Sequence, residues 1–223
     1  MDWSPILISM RTAGLSIVFT FFMGILAAWM VVRISNPLVK TILDGIFTIP
    51  LVLPPTVVGF FLLYVFGVKR PVGQFFLEYF SVKIAFSWGA TVLAAVVMSF
   101  PLMYRSARGA FEQVDDTLVQ AARTLGMGEW TIFRKVLLAN AVPGVVSGGV
   151  LAFARGLGEF GATAMIAGNI AGKTRTLPMA VYSEVAAGNM EAAYSYVAII
   201  VVIAFLSVFL MNGVMWYSQK KSR

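Results

Sequence analysis

Residues 105–140 read RSARGAFEQVDDTLVQAARTLGMGEWTIFRKVLLAN, a polar stretch set between two long apolar runs. It carries Arg108, Glu112, Asp115, Asp116, Arg123, Glu129, Arg134 and Lys135, too many charges for a segment immersed in hydrocarbon. The flanking runs, 84–104 and 142–167, each match the roughly 20 mostly apolar residues that a membrane helix requires. Working outward, runs of the same kind occupy 12–32, 45–66 and 194–217. The expectation is an all-α membrane protein, a polytopic bundle of about five transmembrane helices whose polar loop carries short helices of its own.

Composition agrees with that reading. Of 223 residues, 59% are hydrophobic and 12% charged, and the mean hydropathy is +0.85, so a water-soluble surface could not be assembled from this chain. The net charge of +7 does not point to nucleic acid, because the basic residues sit in short connections and at Lys220, Lys221 and Arg223. Five spans put the connection 33–44, the loop 105–140 and the C-terminal tail on one side, and all three carry Lys or Arg. The positive-inside rule makes that side the cytoplasm and places the N-terminus outside, although Lys69, Arg70 and Lys83 fall on the outer side. The opening MDWSPILIS has no basic n-region, so the first span reads as a retained helix. No fixed-period repeat is visible, and residues 1–223 read as one membrane domain with a cytoplasmic loop at about 111–140.

Cysteine and histidine are absent, which removes thiolate and imidazole chemistry, disulfides and nearly every zinc or haem site. No catalytic residue and no metal ligand set is expected. Gly-x-x-x-x-Gly-Lys-Ser/Thr does not occur either, so the chain lacks the usual phosphate cradle for ATP.

Within the loop, Asp115, Asp116 and Thr117 are good helix caps, and Thr117 with Gln120 fits a capping box. A helix then runs through Leu118, Val119, Ala121, Ala122 and Leu125, and Gly126 supplies a left-handed residue to end it. A second helix sets Trp130, Phe133 and Leu137 on one face. The small-residue surface at Ala121 and Ala122 suits insertion into a groove on a partner protein; an amphipathic helix lying on lipid headgroups is the other reading.

The spans hold further candidates. Pro54 and Pro55 remove two backbone donors and force a kink in the second span, a candidate wall of a path through the membrane; Pro101 with Ser99 reads the same way in the third. Arg155 and Glu159 in the fourth share one helix face. They read as an ion pair holding the bundle together or as neighbours of a path, with Phe160 and Thr163 near a gate. A stretch from 169 to 193 reads as an outer loop with a partial re-entrant helix.

The run QAARTLGMGEWTIFRKVLLANAVPG at 120–144 resembles the EAA loop of ABC importer permeases. The resemblance places Thr117, Gln120, Ala121, Ala122, Arg123, Gly126 and Trp130 on the surface that couples a permease to its ATPase. Two positions depart from the pattern: Gln120 stands where Glu is usual, and Ala139 stands where proline is usual, with Pro143 following. Three more segments, IPLVLPPTVVGFFLL (49–63), AFSWGATVLAAVVMSFPLMYRS (85–106) and GVVSGGVLAFARGLGEFGATAMIAGNI (144–170), resemble molybdate permeases and the related sulfate/thiosulfate permeases. KTRTLPMAVYSEV at 173–185 favours molybdate or tungstate.

The resemblance implies a type I ABC importer permease fold in the cell membrane. It implies a transport subunit and not an enzyme, translocating molybdate or tungstate, with a sulfate or thiosulfate permease as the alternative. The implied partners are a second copy of the chain, two cytoplasmic ATPases and an external solute-binding protein. This chain would carry no cofactor, ATP and Mg2+ residing on the ATPase. From the residues alone, an ion-coupled secondary transporter using Arg155 and Glu159 is a further reading.

Overall fold

A computed structural model describes residues 2–221, and the described residues are helical with no strand. In chain order the helices are α1 (Ser4–Val32), α2 (Pro37–Val52), α3 (Pro55–Phe66), α4 (Pro71–Phe80), α5 (Trp88–Glu112), α6 (Asp116–Thr124), α7 (Glu129–Ile132), α8 (Leu138–Leu157), α9 (Gly161–Ile166), α10 (Leu177–Ala186) and α11 (Met190–Lys221). A π-helical turn at Phe133–Leu137 joins α7 to α8 without a break. Four of these helical stretches are long and apolar enough to cross a membrane, and a fifth crossing is counted if the bent pair α2 and α3 is one span. Arg223, the last cation of the expected cytoplasmic tail, lies outside the described residues.

The bundle is organised by α1, α5 and α8. Their shared core joins Ile25, Ala28 and Val31 of α1 to Met103, Tyr104 and Phe111 of α5 and to Val145 and Ala152 of α8. Between membrane helices there is no hydrophobic drive to associate, so close approach and hydrogen bonding must supply the attraction. Both are present. A Cβ on Gly148 would lie 2.6 Å from Ser106 Cβ, so only glycine admits α5 here. Thr12 Oγ1 pairs with Thr91 Oγ1 at 2.9 Å, and Thr20 Oγ1 with Ser99 Oγ at 3.0 Å, which pins α1 to α5 at two depths.

Three sequence expectations change. The fourth span is not one helix over 142–167: α8 stops at Leu157 and the chain turns at 158–160 before α9. At its other end the expected separate second loop helix is continuous with that span, running from Glu129 to Leu157. The third span continues past Tyr104 to Glu112, so Arg108 and Glu112 belong to a membrane helix and not to the loop. The second span is broken at Pro54, where α2 and α3 meet at 109°. Pro54 and Pro55 cannot donate to the preceding turn, so the helix ends and restarts with Pro55 in its first turn. In the 169–193 stretch the helical piece is α10, seated by the Leu177 N–H donating to Ser9 Oγ at 2.7 Å.

The two ends of the bundle differ. Trp88 Nε1 donates to Thr12 Oγ1 at 3.1 Å, which places the start of α5 beside the first half of α1. The far ends of α1 and α5 therefore lie together at the other end, with α6 and α7.

Candidate coupling face and broken-helix junction

At the end bearing α6, the local chemistry sets the helix directly. Asp115 is the cap: its carboxylate accepts from the Thr117 N–H at 2.9 Å. That bond holds the Asp115 carboxyl below its ordinary range. Thr117 therefore sits inside the first turn, and the Thr117–Gln120 capping box is replaced by an Asp115 cap, because a carboxylate is the stronger acceptor at a helix start. The helix closes in a Schellman arrangement, Met127 N–H donating to Ala122 O at 3.1 Å and Gly126 N–H to Arg123 O at 2.9 Å, with Gly126 at φ +73°.

Gln120 and Ala121 face outward, and Ala122 is buried, so the two alanines do not form one exposed surface as the sequence suggested. Helical spacing separates them: Val119 and Ala122 point to the bundle, while Leu118, Ala121 and Leu125 share the outer side. Leu125 is 81% exposed and Leu118 47%; the sequence reading put both on the helix but not on its outer side, although their spacing from Ala121 signals it. Trp130 is exposed beside Trp29, with ring centroids 5.8 Å apart. Arg123 turns back toward Glu129, its Nε 2.8 Å from Oε1.

Inside the bundle the broken second span meets the segment that follows α8. A Cβ on Gly59 would lie 2.7 Å from the Cα and O of Ala162, and one on Gly161 would lie 2.8 Å from Pro55 Cβ. Glycine at both positions lets α3 and α9 touch through their backbones. Val58, Ala162 and Ile166 fill the contact. Glu159, 2% exposed, sits at the turn from α8 to α9. Its Oε1 accepts from the Ala162 N–H at 2.7 Å and its Oε2 lies 2.6 Å from Arg155 Nη1. The second approach lacks hydrogen-bond alignment and is a charge contact. Thr163 is buried, and Phe160 packs against Tyr182 with ring centroids 5.4 Å apart. Pro55, Glu159, Phe160 and Thr163 thus belong to one junction, with Pro54 exposed at its edge. Ser99 is not brought there. It is held between α1 and α5, donating to Ala95 O at 2.6 Å.

A charge cluster that the sequence reading missed joins α2 to α5. Lys40 Nζ lies 2.9 Å from Glu112 Oε1, Arg108 Nε lies 3.0 Å from the same oxygen, and Asp44 binds both Arg108 and Tyr104. Asp44, Tyr104, Arg108 and Glu112 line a cavity of about 380 Å3 together with Arg105. The i,i+4 pair Arg108 and Glu112 was visible in sequence; its link to Asp44 was not, since the partners lie on different helices. Among the described residues no group of three or more His, Cys, Asp or Glu could hold a metal ion.

This architecture, a helical membrane bundle with one broken span and a short exposed helix at one end, is that of a polytopic membrane subunit. The chain belongs to the family described as the binding-protein-dependent transport system inner membrane component, whose model matches residues 20–223. It is 42% identical to the molybdenum transport system permease protein ModB of Escherichia coli K12, over 99% of this chain and 96% of that one. It is 41% identical to the putative molybdenum transport system permease protein YvgM of Bacillus subtilis 168, over 94% and 92%. An inward-facing structure of the MetNI methionine ABC transporter matches with a TM-score of 0.75 at 18% identity, covering 97% of both chains. A bacterial ABC transporter involved in import of the acidic polysaccharide alginate matches at 0.73 and 15%, covering 99% of this chain and 79% of that one. These structures establish the ABC importer permease fold, in a multi-pass protein of the inner membrane.

Proposed function

We propose that this chain is the permease of an ATP-driven importer for molybdate or tungstate. The observation that carries the reading is the α6 hairpin: a capped, glycine-terminated helix presenting Leu118, Ala121 and Leu125 outward from the end of a membrane bundle. Apolar side chains displayed off the bundle on a rigid short helix fit a groove on a soluble partner. The partner is an ATPase, a reading supported by the likeness of the fold to ABC transporter permeases. Similarity to molybdenum permeases supports the substrate.

The working unit is two copies of this chain, two cytoplasmic ATPases carrying ATP and Mg2+, and an external solute-binding protein. The α6 end faces the cytoplasm, the N-terminus lies outside and the C-terminus inside. Closure of the ATPases moves α6, the continuous helix from Glu129 to Leu157 carries that motion through the membrane, and the junction of α3 with α9 opens or shuts the path. Non-helical backbone at membrane depth is tolerated where it is buried or lines a wet cavity, which suits Pro54 and the 158–160 turn to a gate.

The test is reconstitution in liposomes with the ATPase and the binding protein. ATP-dependent uptake of molybdate or tungstate in excess of sulfate supports the reading. Uptake of sulfate in preference assigns the sulfate branch, and uptake driven by an ion gradient without any ATPase refutes an ATP-driven importer.

A further inference from the structure

Glu129 occupies a crossing point in the molecule. It opens α7, and both of its carboxylate oxygens are engaged. Arg123, in the last turn of α6, reaches Oε1 through Nε at 2.8 Å and Oε2 through Nη2 at 3.3 Å. Arg33, the residue that caps the end of α1, reaches Oε2 through Nη2 at 3.4 Å. The guanidinium of Arg33 also lies 4.8 Å from the centroid of Trp29, whose ring packs on Phe133 at 4.7 Å. One carboxylate therefore ties together the end of α1, the exit of α6 and the start of the helix that becomes α8.

The side chains are half exposed, Arg33 by 43%, Glu129 by 40% and Arg123 by 53%. Exposed pairs add little to folding stability, about 0–1 kcal/mol each. Holding the fold together is therefore a poor account of this arrangement. Its geometry is more specific than its energy, because an arginine gripping a carboxylate through two nitrogens fixes direction as well as distance. Around Gly126, where the backbone reverses, nothing else spans from α6 to α7 by side-chain hydrogen bonds among the described residues.

We propose that Glu129 is a positioning residue of the coupling hairpin, clamped by Arg123 and Arg33 so that movement of α6 is delivered to α1 as well as along α7 to α8. The proposal rests on the reading of α6 as the ATPase-docking helix. Without the clamp, α6 swings on Gly126 and the stroke is lost in the turn; with it, α6, α1 and α8 move as one body.

The experiment uses the full complex of permease, ATPase and binding protein in liposomes, and reads the ratio of anion-stimulated to basal ATP hydrolysis with complex assembly by size exclusion. Glu129→Gln keeps the size of the side chain and removes its charge. The expected result is an assembled complex whose stimulation ratio falls about tenfold, the scale of a typical coupling free energy. Charge exchange separates the two arms. Arg123→Glu with Glu129→Arg rebuilds the α6 arm but sets Arg33 against an arginine, and its ratio stays low; adding Arg33→Glu rebuilds both arms and restores the ratio. A Glu129→Gln complex with the parental ratio overturns the clamp, and full rescue by the double exchange alone removes α1 from it. Failure of the parental chain to assemble with any ATPase would instead refute the docking reading itself.

Discussion

Arg155 and Glu159 are in ion-pair contact across the end of a helix: Nη1 and Oε2 lie 2.6 Å apart although α8 terminates at Leu157, between them. The i,i+4 spacing survives the break because the Gly158 N–H still donates to Ala154 O at 3.1 Å, and the carboxylate then reaches forward to the Ala162 N–H of α9. Glu159 thereby joins two helices while neutralising a cation. The pair is asymmetric. Arg155 is 27% exposed at its side chain and Glu159 only 1%, so the arginine has an outlet to solvent or headgroups that the carboxylate lacks.

The asymmetry sets the order of damage in a mutant cycle. Arg155→Ala strands a buried carboxylate and is expected to cost about 3–5 kcal/mol. Glu159→Gln leaves a partly exposed arginine and keeps an acceptor for Ala162, so it costs less. Combining the two recovers most of the loss. Thermal unfolding in detergent measures all three, and strict additivity would show that the groups are not coupled.

Gly126 yields a cleaner test of the coupling hairpin. A Cβ there meets no atom within 4 Å, so a substitution is opposed by the backbone at φ +73° and not by crowding. Gly126→Val should cost about 1–2 kcal/mol locally and uncouple transport from ATP hydrolysis, while Gly126→Asn, which tolerates the left-handed region, should retain most coupling. Equal coupling in the valine and asparagine variants would count against a role for this turn.

At the junction the constraint is space. Gly59→Ala drives a methyl to 2.7 Å from the backbone of Ala162, where no side-chain rotation can relieve it. The expected outcome is separation of α3 from α9, a stability loss of about 1–3 kcal/mol, and transport impaired more than ATPase assembly. Transport rate and complex yield, measured on one preparation, decide it; parental transport in Gly59→Ala means that this contact does not shape the path.

What the sequence made legible follows from which forces are local. Apolar runs announced the spans, and Pro54 with Pro55 announced the break between α2 and α3, because a missing N–H is a property of the residue itself. The break at Gly158–Phe160 was hidden: its small residues continue an apolar run, and the backbone contact of Gly161 with Pro55 that accompanies it depends on a distant segment. The pairing of Asp44 with Arg108 was hidden for the same reason. Ala122 was placed on the wrong side of α6 because two adjacent small residues were read as one surface, whereas a helix turns adjacent residues apart by about 100°.

The last expectation concerns substrate selection. A tight oxyanion site needs several donors converging in a dry pocket, such as backbone amides, hydroxyls or an arginine fork. In the fourth span the cation is Arg155, and Glu159 already holds it. The hydroxyls are committed as well: Ser87 donates to Ile84 O at 2.6 Å, and Ser99 to Ala95 O at the same distance. Thr163 is 1% exposed, packed away from any open surface of the chain. An anion crossing the bundle would meet partners that must first be detached from one another, which weakens each contact by the cost of breaking the old one. Weak binding also suits passage, since an ion held tightly in a path leaves it slowly. Selection would then fall to the external binding protein. Equilibrium binding of labelled molybdate, tungstate and sulfate to the purified permease and ATPase, with the binding protein omitted, should find no submicromolar site. Submicromolar binding of one anion, abolished by Arg155→Ala or by changes at the junction of α3 with α9, would overturn this division of labour and make the permease itself the selective element.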